Sequence, residues 1–277
     1  MTAPPRSVLY VPASQPRMLA KLADLAADVV VLDLEDGVAP AAKDGAREAL
    51  RALADRGGLP AGGRWMLRVN AVGSPWHDDD LDLVAELRPP GVLLAKAGRA
   101  HDVEVLAAQW AAEGAFTALM IETARGLGCV RELAGAHGRV ALLVYGSADL
   151  RRELGARPDP ARTWERHAMS EIVLAARMHG AAAIDAVQFR FRDLDALAQD
   201  ARIARDLGFD GKSCIHPDQL PTVHEIFRSS ADEIAWAEAV LAGWERVDGE
   251  RRGVAVVDGE MIERLHLDVA RRILKRR

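Results

Sequence analysis

Eight short apolar runs alternate with amphipathic helical patterns along the 277-residue chain, and that alternation limits its fold more than any other feature. The runs at Ser7–Val11, Val29–Leu34, Trp65–Val69, Gly91–Leu94, Ala118–Ile121, Val140–Tyr145, Ala183–Val187 and Lys212–Ile215 read as strands. Several are β-branched and continuously apolar, the pattern of strands buried on both faces. Between them, His101–Glu113 places Val103, Leu106, Ala107 and Trp110 at helical spacing. Glu165–His179 does the same with Met169, Ile172, Val173 and Ala176, and Asp193–Leu207 with Leu194, Leu197, Ala198 and Ala201. A strand followed by a helix returns to pair in parallel, and about eight such units close a barrel rather than leave an open sheet.

The expectation is an α/β fold, one (β/α)8 TIM barrel domain over 1–277, with 217–277 as a C-terminal helical extension. Its last helix is expected over Asp258–Lys275. The apolar stripe Met261, Leu265, Val269 and Ile273 needs a surface to cover, on its own barrel or on a neighbouring subunit. Gly57-Gly58-Leu59-Pro60-Ala61-Gly62-Gly63 reads as a turn within the domain, not as a boundary.

Aromatic residues are only 5% of the chain while apolar residues are 49%, so Leu, Val and Ala must fill the core. That suits a barrel interior built from branched aliphatics. The net charge of −5 argues against nucleic acid as a partner, which calls for a clustered basic face. The basic end Arg271-Arg272-Ile273-Leu274-Lys275-Arg276-Arg277 reads as a solvated helix terminus. No secretory leader and no apolar run of membrane-spanning length is visible. Cys129 and Cys214 lack metal-ligand spacing, so they read as buried fillers in a cytoplasmic protein.

In a barrel, chemistry collects at the C-terminal ends of the strands. Just after the apolar runs stand Asp33, Glu35 and Asp36, then Arg68 and Asn70, Lys96, Glu122, Gly146-Ser147-Ala148-Asp149, Asp185, and His216-Pro217. So many ionisable groups at one rim are costly unless they pair or bind something. Each has a structural reading: Asp36 and Asp149 as helix caps, Glu122 as a salt-bridge partner of Arg68. Together, Glu122 and Asp149 on adjacent strands, with the acids of the second strand, read as a hard-cation site suited to Mg²⁺. Arg68 would then take a substrate carboxylate in its fork. Lys96 reads as a salt-bridged, ligand-orienting lysine rather than a Schiff-base former. His77-Asp78-Asp79-Asp80 reads as an acidic helix start, not a metal cluster. Gly126 and Gly128 make no dinucleotide fingerprint, and no phosphate loop, zinc-protease or nucleophile-elbow motif occurs.

These same segments carry a resemblance. Arg6-Ser7-Val8-Leu9-Tyr10-Val11-Pro12, Asp33-Leu34-Glu35-Asp36-Gly37-Val38, Lys43 with Ala46-Arg47, and Arg68-Val69-Asn70 are similar to signatures of the citrate lyase beta subunit-like family. So are Ile121-Glu122-Thr123-Ala124, Gly146-Ser147-Ala148-Asp149-Leu150 and Gly208-Phe209-Asp210-Gly211-Lys212-Ser213-Cys214-Ile215-His216-Pro217. The family belongs to the malyl-CoA lyase and HpcH/HpaI aldolase group. The resemblance implies a barrel, Mg²⁺, a homotrimer or hexamer, and reversible carbon–carbon cleavage of a β-hydroxyacyl-CoA thioester into a small oxo acid and a thioester enolate. It implies Glu122 and Asp149 as metal ligands, Glu35 and Asp36 as holders of the metal's waters, and Arg68 with Glu122 against the substrate.

The sequence departs from the pattern twice. Glu263 in Met261-Ile262-Glu263 stands where the family usually has an Asp that reaches a neighbour's active site, and it is the candidate proton-transferring group. Ala95-Lys96-Ala97-Gly98 replaces the usual Pro-Lys-x-Glu and loses a rim acid. Two other readings remain open: an aldolase on free oxo acids or a thioesterase or synthase with the same site, and a non-catalytic acyl-CoA-binding subunit.

Overall fold

The computed structural model describes residues 4–110, 114–247 and 253–276. The chain divides into two compact units, Pro4–Val223 and one containing His224–Arg277. In the first unit the order is β1 (Ser7–Pro12), α1 (Pro16–Leu19), β2 (Val29–Asp33), α2 (Lys43–Asp55), β3 (Trp65–Val69) and α3 (His77–Leu87). Then come β4 (Gly91–Leu94), α4 (Ala100–Gln109), β5 (Phe116–Ile121), α5 (Ala124–Gly128), α6 (Val130–Gly135) and β6 (Val140–Tyr145). The unit is completed by α7 (Ser147–Leu154), α8 (Glu165–His179), β7 (Ala182–Asp185), α9 (Leu194–Asp206) and β8 (Gly211–Cys214).

Every strand pairs in parallel with the next, and β8 pairs with β1, so the sheet closes into the expected eight-stranded barrel. Alternate residues of each strand point inward. Val8, Val31, Met66, Ala118, Val144 and Ile184 meet there in one buried cluster, with few aromatics among them. Each fully buried aliphatic side chain contributes about 1.5–3 kcal/mol, which makes the parity of each strand hard to slip. The strand bounds differ from the sequence reading by at most two residues at either end. The expected helix over His101–Glu113 is α4 plus the buried Trp110, and its last three positions, 111–113, lie outside the described residues. In α9 the outermost member of the expected stripe, Leu194, is exposed.

α10 (Leu220–Phe227) spans the junction in sequence between the units. The C-terminal unit continues with α11 (Ala231–Arg246), a two-stranded antiparallel hairpin of β9 (Val254–Val257) and β10 (Glu260–Glu263), and α12 (Arg264–Leu274). A capping box starts α11: the Ser230 hydroxyl accepts from the Glu233 amide, and the Glu233 carboxylate accepts from the Ser230 amide. The expected helix over Asp258–Lys275 is therefore corrected to a hairpin and a shorter helix. Asp258 and Gly259 both take positive φ, 49° and 83°, which makes the tight Asp-Gly turn that joins twisted strands. Ile262, Leu267 and Ala270 form the buried face, packed with Val240 and Trp244 of α11. Met261, Leu265 and Val269 of the expected stripe are exposed. The basic residues Arg271 and Arg272 close the last turn of α12, as the dipole favours, while Arg277 lies outside the described residues. Among the described residues no helix is long and apolar enough to cross a membrane.

Candidate active site at the mouth of the barrel

The inward parity of each strand decides which polar side chains reach the mouth. Continuing Val29 and Val31 inward gives Asp33; Met66 leads to Arg68, Ala118 and Met120 to Glu122, and Leu142 and Val144 to Gly146. β2 and β3 pair Asp33 directly with Arg68, and β5 and β6 pair Ile121 with Tyr145, which sets Glu122 beside Gly146.

Asp33 is the hub of one side. Its Oδ1 accepts from the Glu35 amide at 2.8 Å and from Arg68 Nε at 2.6 Å; its Oδ2 accepts from the Gly37 amide at 3.1 Å and from Arg68 Nη2 at 2.7 Å. A side chain at Gly37 would put its Cβ 2.4 Å from that Oδ2, so only glycine fits the turn. With both oxygens occupied, Asp33 positions Arg68 and is no metal ligand. Arg68 also lies 3.0 Å from Glu35 through Nη1 and rests 5.1 Å from the Tyr10 ring centre. Burial opposes its charge, but Asp33 and Glu35 outweigh it and hold the guanidinium well above its ordinary pKa. A guanidinium carries five N–H donors, so two are left for a ligand after these bonds.

Lys96 ties the loop after β2 to the loop after β4. Its ammonium donates to Glu35 and, at 3.3 Å, to Asp36. Burial works against the Asp36 charge, yet the Lys96 ammonium holds that carboxyl below its usual range. Lys96 takes φ +50°, a conformation that costs a non-glycine residue about 1–3 kcal/mol and persists only where its surroundings enforce it. Its amide donates to Glu122 Oε1 at 2.8 Å, so the strained backbone also places the Glu122 carboxylate. Beneath the loop, Lys43 Nζ donates to the carbonyls of Leu34 and Glu35 and to Asn70 Oδ1 at 2.7–2.9 Å.

Glu122 is 2% exposed, and burial, then the charge of Glu35, pushes its pKa up to about 7. Its Oε2 takes no hydrogen bond among the described residues and lies against Gly146, where a Cβ would come within 2.8 Å of it. Asp149 follows three residues later in the first turn of α7, paired with Arg152 at 2.6 Å. Glu122 and Asp149 line one cavity of about 330 Å³ together with Asp36, Arg68, Tyr10 and the apolar Met120, Val187 and Ile215. A buried carboxylate whose charge Arg68 and Lys96 only partly offset, sharing a cavity with a second carboxylate, fits a hard divalent cation that keeps most of its waters. Among the described residues no three or more His, Cys, Asp or Glu side chains group so that they could hold a metal ion between them. A water-rich Mg²⁺ site needs no such group.

The cavity thus joins Arg68, Asp36, Glu122 and Asp149 from the sequence reading. Glu35 sits behind its wall, linked through Arg68 and Lys96. The structural alternatives fare differently from that reading: Arg68 pairs with Asp33 and Glu35, not with Glu122, and the helical turn at Pro40–Ala42 has no side-chain cap from Asp36. Asp185 does not face the mouth. It has the outward parity opposite to Ile184, fully buried, and binds Arg162 at 2.7 and 2.9 Å and Lys212 at 2.5 Å. Those two cations overcome burial and lower its pKa to about 2. His216 caps the turn at Pro217–Gln219 and stacks on Phe191 at 4.8 Å. Glu263 belongs to the C-terminal unit, where it is the N-cap of α12 and its amide donates to His266 Nδ1 at 3.0 Å. His77–Asp80 is the expected first turn of α3, with Asp80 buried against Arg47 and Asn70. Cys214 is buried, but Cys129 is only partly so.

Sequence reasoning gave Tyr10 a place in the first strand but no role, and it carries the face on which Arg68 lies. Its signal was inward parity at the rung next to the rim.

Residues 6–217 match the profile described as HpcH/HpaI aldolase/citrate lyase. The chain belongs to that family. The family assignment extends to near-full-length relatives: a (3S)-malyl-CoA thioesterase of Cereibacter sphaeroides is 39% identical, covering 98% of this chain and 94% of its own. The mitochondrial citramalyl-CoA lyase of Rattus norvegicus is 30% identical over 98% of this chain and 85% of its own. Among solved structures, CitE of Mycobacterium tuberculosis in complex with magnesium, acetoacetate and coenzyme A superposes with a TM-score of 0.83 at 37% identity, covering 100% of this chain and 99% of that one.

Proposed function

We propose that the protein is a Mg²⁺-dependent carbon–carbon lyase that cleaves, or forms, a short β-hydroxyacyl-CoA thioester of the citryl, malyl or citramalyl type. The observation that carries this reading is the shared cavity. Arg68 opens onto it with two N–H donors unspent, and the buried Glu122, its pKa raised by burial and Glu35, faces it together with Asp149. Family membership and the magnesium, acetoacetate and coenzyme A bound by the related CitE support it.

Glu122 and Asp149 would hold the cation, and Asp36, on the same cavity wall and fixed with Glu35 by Lys96, would hold its waters. When bound, the metal acts as a Lewis acid toward the oxygen of the oxo-acid half. Arg68 grips that half's carboxylate with a fork that Asp33 and Tyr10 keep from turning. In the cleavage direction Glu263, as a carboxylate, takes the β-hydroxyl proton, the O–H electron pair becomes the new carbonyl bond, the adjacent carbon–carbon bond breaks, and its electron pair moves into the thioester enolate. The enolate carbon then takes a proton, and Glu263 is the group proposed to transfer it, from a neighbouring copy of the chain. That role makes a homotrimer or hexamer the proposed assembly, with the cytoplasm as its compartment.

The name of the Cereibacter relative favours a second reading, hydrolysis of the thioester itself. Purified protein with Mg²⁺ and either malyl-CoA or citramalyl-CoA separates the readings. A lyase releases glyoxylate or pyruvate with acetyl-CoA, whereas a thioesterase releases free CoA and the hydroxy acid. Turnover of free hydroxy acids would instead make it an aldolase. Tight acetyl-CoA binding without turnover would make it a binding subunit.

A further inference from the structure

The reaction cavity carries two hydroxyls that the proposed chemistry leaves unused. Tyr10 and Ser213 both line it, and among the described residues neither hydroxyl oxygen has a hydrogen-bond partner of regular geometry. The strand register brings them together. β1 and β8 pair Val8 with Ser213, and Val8 and Tyr10 point into the barrel, so Ser213 points inward one rung below Tyr10 and Ile215. Lys212, next to it in sequence, faces the other way, into its pair with Asp185. Ser213 is fully buried and Tyr10 is 7% exposed. Burial raises the Tyr10 phenol well above its ordinary pKa, against the charge of Arg68 and the nearby Ser213 hydroxyl, so it is a neutral donor. Tyr145, the other unpartnered phenol on the cavity, follows the inward Val144 and so has outward parity, with Arg162 against its ring.

Two neutral hydroxyls bring two protons and four lone pairs. Even one bond between them would leave a proton and three lone pairs unused, on a wall that Met120, Val187 and Ile215 make otherwise apolar. An orphaned buried hydroxyl is costly, so a pair of them on a cavity wall marks the place of a water or a ligand atom. Resting on the lyase reading above, the geometry points to Ser213 and Tyr10 as the residues that select the oxo-acid half of the substrate by the substituent on its keto carbon. Arg68 on β3 and the carboxylates after β5 and β6 serve the acid's charged end and the cation, which leaves the wall of β1 and β8 to that substituent. A hydrogen there, as in glyoxylate, leaves room for one water held by both hydroxyls, and two polar partners suffice to order it. A methyl, as in pyruvate, displaces that water and offers the hydroxyls nothing in return. The site therefore prefers malyl over citramalyl thioesters.

The test is the ratio of kcat/KM for malyl-CoA to that for citramalyl-CoA in wild type, Ser213→Ala and Tyr10→Phe. The wild type should favour malyl-CoA, and each variant should lower the ratio about tenfold, the effect of one lost hydrogen bond. Ser213→Cys keeps the side chain's bulk, so a matching fall there separates lost polarity from added space. Calorimetry of glyoxylate and pyruvate in the presence of Mg²⁺ reads the same preference without turnover. A crystal structure of the glyoxylate complex should place one water against both hydroxyls. Ratios within about threefold of wild type for Ser213→Ala and Tyr10→Phe, in turnover and in binding, would overturn the assignment and leave the lyase reading standing. Wild-type protein that binds glyoxylate in preference to pyruvate but cleaves neither thioester would overturn the lyase reading alone.

Discussion

Replacing Arg68 by lysine separates the work of its charge from the work of its fork. The guanidinium binds both oxygens of Asp33, at 2.6 and 2.7 Å, approaches Glu35 at 3.0 Å, and still has two N–H groups to offer a ligand. An ammonium has three donors and no plane. It can serve Asp33 and Glu35, but nothing geometrically matched to a carboxylate remains. One limb of a charged hydrogen-bonded pair is lost from the fold, worth about 1.5–3 kcal/mol. In a chain of this size that lowers the melting temperature by about 3–10 °C. The transition state loses a preorganised charge stabiliser, so kcat/KM should fall about 10²–10³-fold. A thermal melt gives the first number. Steady-state release of acetyl-CoA from malyl-CoA gives the second, and calorimetry with pyruvate should show its binding weakened in parallel. A variant that melts lower but keeps kcat/KM within about threefold of wild type would reduce Arg68 to a structural ion pair and refute the reasoning.

Gly146→Ala would place a Cβ 2.4 Å from that of Glu122 and 2.8 Å from its Oε2. With ordinary φ at this position, the effect is purely steric: displacement of the carboxylate, weaker Mg²⁺ binding by titration calorimetry and a matching loss of activity. Burial and Glu35 raise Glu122 to about 7, so between the usual glutamate value and 7 the folded, metal-free protein holds more protons there than the unfolded chain. Its stability in EDTA should therefore fall as pH rises through that window, and Glu122→Gln should flatten the slope in denaturant titrations. Asp185→Asn leaves Arg162 and Lys212 short of a buried counter-charge, and breaking such a network costs about 3–5 kcal/mol. Urea unfolding should show that loss. Asp185 has a lowered pKa of about 2, so in wild type its contribution is present above the usual aspartate value and vanishes as pH falls through 2.

The barrel was legible because each strand is an apolar run bounded by polar residues, and burial on both faces leaves little else such runs can do. The mouth was partly legible for the same reason: Arg68 and Glu122 stand one inward step beyond Met66 and Met120. Asp185 shows where listing strand ends without tracking parity misleads, since its neighbour Ile184 already occupies the inward place. The link from Lys96 to Glu35 and Asp36 depends on a left-handed backbone at a lysine, which no residue pattern announces. The saturation of Asp33 depends on where the Gly37 turn folds back. The hairpin at Asp258-Gly259 did have a signal, an Asp-Gly pair between apolar runs. The helical spacing of Met261, Leu265 and Val269 masked it.

The most direct measurement is Mg²⁺ titration calorimetry on wild type, Glu122→Gln, Asp149→Asn and the double variant. A cation shared by the two carboxylates predicts clear binding to wild type, severe weakening in each single variant, and little further loss when both are changed. Undiminished Mg²⁺ affinity in both single variants would contradict the account.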